Sequence, residues 1–283
     1  MKIPIATLIC LYAGDAPELF GAAIQSILDQ TLPDDVESRV YLGIDGPITK
    51  DLRREVAAHA SQLFVVHEST VNQGLAKTLN CLIELLTDEV FVFRMDSDDI
   101  SLPQRYQSQL QYLVDHPDVD ILGTAITEVD SSTGEERLVQ YCSGPEDARS
   151  NIHRRVPVAH PTVCFRRHVL QTVKGYPAVG TNEDVALWFE CLRRGMVFDN
   201  LQASLLRFRI SPAFWRRRSI GKAKSELLCY LRGVHSLEGY RTTKFLYPLA
   251  RFFVRLAPTA VAKWAYRSSL RPGAITSRTQ RPI

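Results

Sequence analysis

Asp96-Ser97-Asp98-Asp99 places three carboxylates directly after the apolar run Val90-Phe91-Val92-Phe93-Arg94-Met95. Such a run reads as a buried strand. Acids crowded at its end repel one another, and burial adds a desolvation cost. A divalent cation removes both problems. Carboxylates two residues apart in a turn can converge on a hard ion, and Mg²⁺ or Mn²⁺ held this way keeps places for water and phosphate oxygens. The chemistry on offer is a metal–diphosphate site at the carboxyl end of a strand, where open α/β sheets bind ligands. Alone, the same residues also fit a solvated acidic turn ahead of the helix after Pro103.

Other reactive groups are spaced along the first two-thirds of the chain. Asp45 precedes Gly46-Pro47, Asn72-Gln73-Gly74 opens a helical stretch with Lys77 one turn in, and Glu183-Asp184 starts a later one. Each has a plain explanation: a turn, an N-cap, or acids complementing a helix dipole. His160 before Pro161 fits a satisfied structural histidine as well as a ligand-binding one.

The elements that must position these groups alternate. Ile3–Leu11 is a continuous apolar strand. Asp15-Ala16-Pro17-Glu18 then reads as a helix start with Asp15 as N-cap. Strands at Val40–Ile44 and Leu63–His67 and helices at Lys50–Ser61 and Leu75–Leu86 lead to the strand before the acids. This βαβαβαβ order predicts a parallel sheet with helices on both faces and its strand ends on one rim. Further on, the pattern predicts a helix at Leu102–His116 and a strand pair at Asp120–Glu128 and Arg137–Tyr141. A strand at Thr162–Arg166, a helix at Asn182–Arg194 and a strand at Ser204–Ile210 complete it. No linker separates the halves. We therefore expect one α/β unit over residues 1–210, with halves 1–100 and 101–210, followed by a basic helical segment over 211–283.

Bulk properties narrow the classes. The 283 residues suffice for a large core. A net charge of +3 gives no case for nucleic acid as a partner. Six cysteines without a Cys-x-x-Cys pair read as free thiols of a reducing compartment, not a disulfide frame or zinc site. No apolar run is long enough to span a bilayer, and Met1–Ala13 reads as a first strand rather than a signal peptide. The expected location is cytoplasmic.

In order and spacing, these stretches resemble the family 2 glycosyltransferases, which have the GT-A fold. The resemblance rests on Ala6–Tyr12, Ala22–Asp34, Leu42–Pro47, Asn72–Leu75 with Leu79-Asn80, and Met95–Asp99 with Pro103-Gln104-Arg105. It continues through His160-Pro161-Thr162, Phe165-Arg166-Arg167, Gly175-Tyr176 and Asn182–Trp188. It covers roughly residues 3–210. The Asp-Gly-Pro variant is most like the exopolysaccharide branch of the amylovoran-biosynthesis type. Two departures stand out: Cys10-Leu11-Tyr12-Ala13 replaces a common Pro-Thr-Tyr-Asn, and only Asp45 is acidic where many relatives carry Asp-Asp. The Gln-x-x-Arg-Trp signature of processive polymerases is absent, so the resemblance implies transfer of a single sugar.

The resemblance further implies an inverting, metal-dependent transfer from a nucleotide-diphosphate sugar, with UDP expected. The acceptor would be a saccharide or a polyprenyl-diphosphate-linked one, in bacterial exopolysaccharide, capsule or O-antigen synthesis. Asp98 would ligate Mn²⁺ or Mg²⁺ with Asp96, which also approaches the donor. Asp184 would be the catalytic base. Tyr12, Asp45, Asn72 and Lys77 would bind the nucleotide sugar, with Asp45 accepting from the N–H of a pyrimidine base. Asp99, His160, Glu183 and Trp188 would contact substrate, Trp188 by stacking a sugar ring, with core packing as its equal alternative. Two other readings compete: a sugar-phosphate nucleotidyltransferase, and a non-catalytic carbohydrate-binding protein on the same fold. The first needs a Gly- and Arg-rich loop that Leu11–Pro17 does not supply.

The basic tail carries its own expectation. Arg216-Arg217-Arg218 with Lys222 and Lys224 fit either a segment closing over a phosphate or a solvated face. Phe245, Leu249, Phe252, Phe253 and Leu256 share a helical face. Arg251 pairs with Arg255 at i,i+4, and Lys263, Arg267 and Arg271 repeat that spacing. A basic amphipathic segment of this kind predicts a peripheral helix on an anionic membrane, here the inner face of the cell membrane. The alternative is a helix docked on the catalytic lobe with its arginines in water.

Overall fold

The computed structural model describes residues 2–179, 181–211 and 220–256. Strands β1 (Ile3–Tyr12), β2 (Val36–Asp45), β3 (Val65–Glu68) and β4 (Phe91–Met95) run parallel in the order β3-β2-β1-β4. Helices α1 (Pro17–Leu28), α2 (Lys50–Ala58) and α3 (Leu75–Glu84) make the crossovers. Pro17 starts α1, where its missing N–H costs nothing. The Thr49 hydroxyl accepts from the Leu52 amide and caps α2.

Beyond β4 the sheet becomes mixed, as the loss of alternation predicts. β8 (Cys164–Arg166) pairs antiparallel with both β4 and β6 (Ile121–Asp130). β6 also pairs with β7 (Glu136–Val139) as a hairpin and with the long β9 (Phe198–Ile210) in parallel. The short β5 (Ile100–Ser101) pairs with β9 and ties the acidic segment to the far edge. Helices α4 (Arg105–Asp115), α5 (Gly144–Asn151), α6 (Arg167–Val173) and α7 (Glu183–Arg193) complete this half.

Two apolar layers cover the sheet. One packs α1, α2 and α4 through Phe20, Ile24, Leu52, Tyr106 and Leu110 against Ile5, Ile9, Phe91 and Phe93. The other packs α3, α6 and α7 through Leu79, Leu82, Leu170, Leu187 and Trp188 against Ala6, Leu8, Val92 and Phe165. Because side chains alternate along a strand, Cys10, Asp45 and Arg94 fall on this second face, at the carboxyl ends of neighbouring strands.

The tail differs from its expectation in orientation. Helix α8 (Ile220–Glu238) buries Tyr230 and Val234 in the second layer, and α9 (Leu246–Leu256) lies across it. Arg251 and Arg255 do not face outward. Both form ion pairs with Glu226 of α8, at 2.8 and 2.6 Å, and Glu226 is only 4% exposed. A buried carboxylate demands paired cations, which is why the basic side turns in. Phe245 packs toward the core and Phe252 lines the seam between the helices. Leu246, Leu249, Phe253 and Leu256 remain exposed, Phe253 by 68%. Arg251 and Arg255 are thus paired with Glu226 while staying 37% and 35% exposed. Arg216–Arg218, Lys263, Arg267 and Arg271 lie outside the described residues.

Candidate active site

The acidic turn after β4 gathers as the spacing predicts. Asp96, Asp98 and Asp99 each offer a carboxylate oxygen, and these atoms lie within 4.8 Å of one another. Asp96 and Asp98 are half-buried, whereas Asp99 is fully buried. Asp99 Oδ1 accepts from the Arg209 amide at 2.9 Å, while Oδ2 is buried without a hydrogen-bond partner among the described residues. Burial, then the charges of Asp96 and Asp98, push its carboxyl well above the usual range. An orphaned buried oxygen facing two more carboxylates fits a hard divalent cation, which takes oxygen ligands. The expectation that Asp99 contacts substrate does not hold. With no exposed surface it is the inner member of the cluster, secured by β9.

Arg94 is the residue that sequence reasoning missed. It forms an ion pair with Asp96 from a position 3% exposed, and its Nε and Nη1 find no partner among the described residues. Its charge acts on Asp99, His160, Tyr176 and Asp184. A lone arginine inside an apolar strand was the available signal.

Asp15 is the second omission. It does not cap α1; the cap position is Ala16, with no side-chain bond. Its Oδ2 instead accepts from the Tyr12 amide at 2.9 Å. Burial chiefly pushes the Asp15 carboxyl up to about 6, with Asp98 and Asp96 adding to the rise and hydrogen bonds from Tyr12 and Ser97 opposing it. Asp15 is therefore a fourth carboxylate beside the cluster. The Tyr12 ring lies over Gly14 and stays 36% exposed.

Asp45 organises the neighbouring loop. Its two oxygens accept from the amides of Gln73 at 2.7 Å and Gly74 at 3.0 Å, just ahead of α3. Asn72 is not an N-cap; it donates to the Asp45 carbonyl at 3.3 Å. This crossing is close enough to require Gly46, which has φ +82° and where a Cβ would meet the Asn72 amide nitrogen at 2.6 Å. Asn72 and Lys77 are exposed on the same rim.

The second acidic group opens α7. Asn182, in the left-handed region at φ 62°, turns the chain into the helix, and Glu183 and Asp184 fill its first turn. Burial, then the neighbouring Glu183 charge, push the Asp184 carboxyl up to about 6; the Val185 amide and Arg94 oppose this. A carboxylate in that range at a rim is a general-base candidate.

His160 and Trp188 lie beneath this rim. His160 Nε2 is 2.7 Å from the Tyr176 hydroxyl, and Asn80 clamps Tyr176 by accepting from its amide and donating to its carbonyl. Burial, then Arg94, hold His160 well below its usual range. Trp188 is fully buried, stacked on Phe165 and edge-on to His160 and Phe198. It has no face free for a sugar, so the stacking role is corrected to a packing one. α7 lays one whole face on the sheet, and Trp188 lies on that face.

The comparisons agree with this geometry. The family model for glycosyl transferase family 2 matches residues 8–173. The chain is 32% identical over 263 residues to an amylovoran biosynthesis glycosyltransferase of Erwinia amylovora, covering 92% of this chain and 97% of that one. It is 27% identical over 272 residues to an Escherichia coli UDP-Gal:alpha-D-GlcNAc-diphosphoundecaprenol beta-1,3-galactosyltransferase, covering 94% and 96%. Among solved structures it is similar to S. aureus TarS in complex with UDP, with TM-score 0.66, 17% identity and coverage of 95% and 76%. It is also similar to the mannosyltransferase PcManGT of Pyrobaculum calidifontis in complex with GDP-Man and Mn2+, with TM-score 0.59, 17% identity and coverage of 95% and 76%. The likenesses establish the GT-A fold, and the family match sets aside the nucleotidyltransferase and non-catalytic readings. The chain belongs to glycosyltransferase family 2: it is a GT-A-fold enzyme that transfers a sugar from a nucleotide sugar, related to the enzymes of polysaccharide biosynthesis.

Proposed function

We propose that this enzyme moves one sugar, with inversion, from a UDP-sugar to a saccharide or lipid-diphosphate-linked acceptor. The observation that carries the reading is the pair of acidic groups on one rim: a crowded cluster suited to a cation and a separate carboxylate, Asp184, raised to about 6. Asp96 and Asp98 hold the Mn²⁺ or Mg²⁺, with Asp99 behind them. The cation supplies positive charge against the departing diphosphate. Asp184 accepts the proton of the acceptor hydroxyl as that oxygen attacks the anomeric carbon from the face opposite the diphosphate, which inverts the configuration. Glu183 adds to the rise in Asp184's proton affinity that burial chiefly causes, and is placed to meet acceptor hydroxyls. Tyr12, with its exposed ring, stacks the base, and the loop held by Asp45 forms its edge. The exposed Lys77 approaches the phosphates.

Support for UDP comes from the UDP complex of TarS and from the UDP-galactose named for the E. coli relative. The latter's name also carries the diphosphoundecaprenol acceptor. A lipid-linked acceptor calls for a membrane contact. No helix among the described residues is long and apolar enough to cross a membrane. The exposed Leu246, Leu249, Phe253 and Leu256 of α9 would rest on the bilayer surface by apolar burial.

A thermal-shift screen of nucleotide sugars with Mn²⁺, followed by transfer assays on the hits, tests the reading. A UDP-sugar should stabilise the enzyme only with the metal and be consumed with inversion. Stabilisation by no nucleotide sugar, or a product retaining the donor's anomeric configuration, contradicts it.

A further inference from the structure

We propose that helix α8 is a positioning element for the base. It grips the residues that lead into Asp184, and the Glu226–Arg251–Arg255 clasp fixes its seat. The inference rests on the reading of Asp184 as base and adds residues to which the family motif gives no part.

Three contacts carry it. Thr181 Oγ1 and Ser225 Oγ lie 2.7 Å apart, and Asn182 Nδ2 donates to the same Thr181 oxygen at 3.2 Å. Cys229 Sγ, one turn beyond Ser225 on α8, reaches the Asn182 carbonyl at 3.9 Å. Asn182 itself holds a left-handed backbone and makes no side-chain bond to cap α7. Asparagine tolerates this conformation better than most residues, and contacts from outside α7 hold it in place. Those contacts come from α8. The start of α7 is thus secured from outside its own sequence.

The two helices also meet along their lengths. Gly233 lies directly against the Phe189 ring, which a Cβ would overlap, and Tyr230 packs edge-on to the same ring at 5.7 Å. This close approach leaves little freedom for sliding. Rotation of α8 is set by Glu226. It is buried beside Ser225, and each oxygen meets an arginine of α9, while Arg251 also lies over the Tyr230 ring at 5.3 Å. Loosening the clasp frees α8 to turn, which moves Ser225 and Cys229 and so displaces the turn that aims Asp184. The contacts described here between α8 and the start of α7 go to Thr181 and Asn182, directly ahead of Asp184.

The test uses the full chain with Ser225→Ala, Ser225→Thr, Thr181→Val and Glu226→Gln. Ser225→Ala, Thr181→Val and Glu226→Gln should lower kcat by ~5–50-fold, the range for a modest misplacement of a catalytic group. Donor KM and the Kd for UDP with Mn²⁺ should stay within about twofold. Ser225→Thr, which keeps the hydroxyl, should restore most of the rate. Amides 181–186 should exchange hydrogen faster in the three weakened variants. In an Asp184→Asn background the same changes should cost nothing further. Unchanged kcat and unchanged exchange in folded Ser225→Ala overturn the inference, as does an equal loss of donor affinity. Should Glu226→Gln not fold, Ser225→Ala and Thr181→Val decide alone. If Asp184→Asn keeps full turnover, the base reading fails, while faster exchange at 181–186 still reports whether α8 holds the helix start.

Discussion

At the end of β4, three carboxylates crowd within 4.8 Å of one another, one with an oxygen that finds no partner among the described residues. At the start of α7, two carboxylates share a helix N-terminus, and one is raised to about 6 by burial and its neighbour. The residue types are the same. The first group is crowded and its inner member, Asp99, is fully buried, with Arg94 beside Asp96. Such a group takes a cation. The second carries one excess charge in a half-dry place, which strengthens its hold on a proton without neutralising it at neutral pH. Such a group exchanges protons. On the proposed reading, environment, not composition, separates ligand from base.

The comparison breaks most visibly at Asp98. Asp98→Asn should cut transfer by ~10³-fold, the scale of losing charge stabilisation at the departing group, and remove most of the Mn²⁺ dependence of UDP binding. A folded variant with unchanged rate and metal dependence moves the metal elsewhere. Asp184→Asn should cut turnover by ~10²-fold or more.

How much of this was legible follows from range. The parallel strands and the acidic turn are local patterns: apolar runs, then acids, each read within a few residues. Arg94 was hidden although it sits inside such a run. Its meaning depends on strand alternation turning it toward Asp96 and Asp184. Asp15 obeys a capping pattern and yet serves the cluster, because Ser97 lies across from it. α5, α6 and β5 were missed because each is short and takes its stability from the sheet. The pairing of Arg251 and Arg255 was hidden since their partner, Glu226, lies on another helix.

Smaller effects sharpen the contrast. Arg94→Met should weaken Mn²⁺ binding by ~10-fold or more, as expected for loss of a residue that orients a ligand; Mn²⁺ titration followed by electron paramagnetic resonance reads this. Turnover should follow the Asp184 carboxylate. The charged form accepts the proton, so the rate should rise with pH through about 6 and fall below it. Because the Glu183 charge raises Asp184, Glu183→Gln should move that limb to lower pH. A limb that stays in place, measured as kcat against pH, removes Glu183 from the account. Smallest in its effect on chemistry, Leu249→Ser with Phe253→Ser should leave turnover on a soluble acceptor unchanged while reducing cosedimentation with anionic vesicles at all salt concentrations.

The most direct measurement sets UDP–Mn²⁺ affinity beside single-turnover transfer in Asp98→Asn and Asp184→Asn. Calorimetric titration gives the first quantity and rapid quench the second. The account predicts that Asp98→Asn loses both, whereas Asp184→Asn keeps its affinity within about twofold and loses transfer by ~10²-fold or more. Affinity lost in Asp184→Asn while bound donor is still transferred at the normal rate contradicts it, making Asp184 a binding residue and placing the base elsewhere.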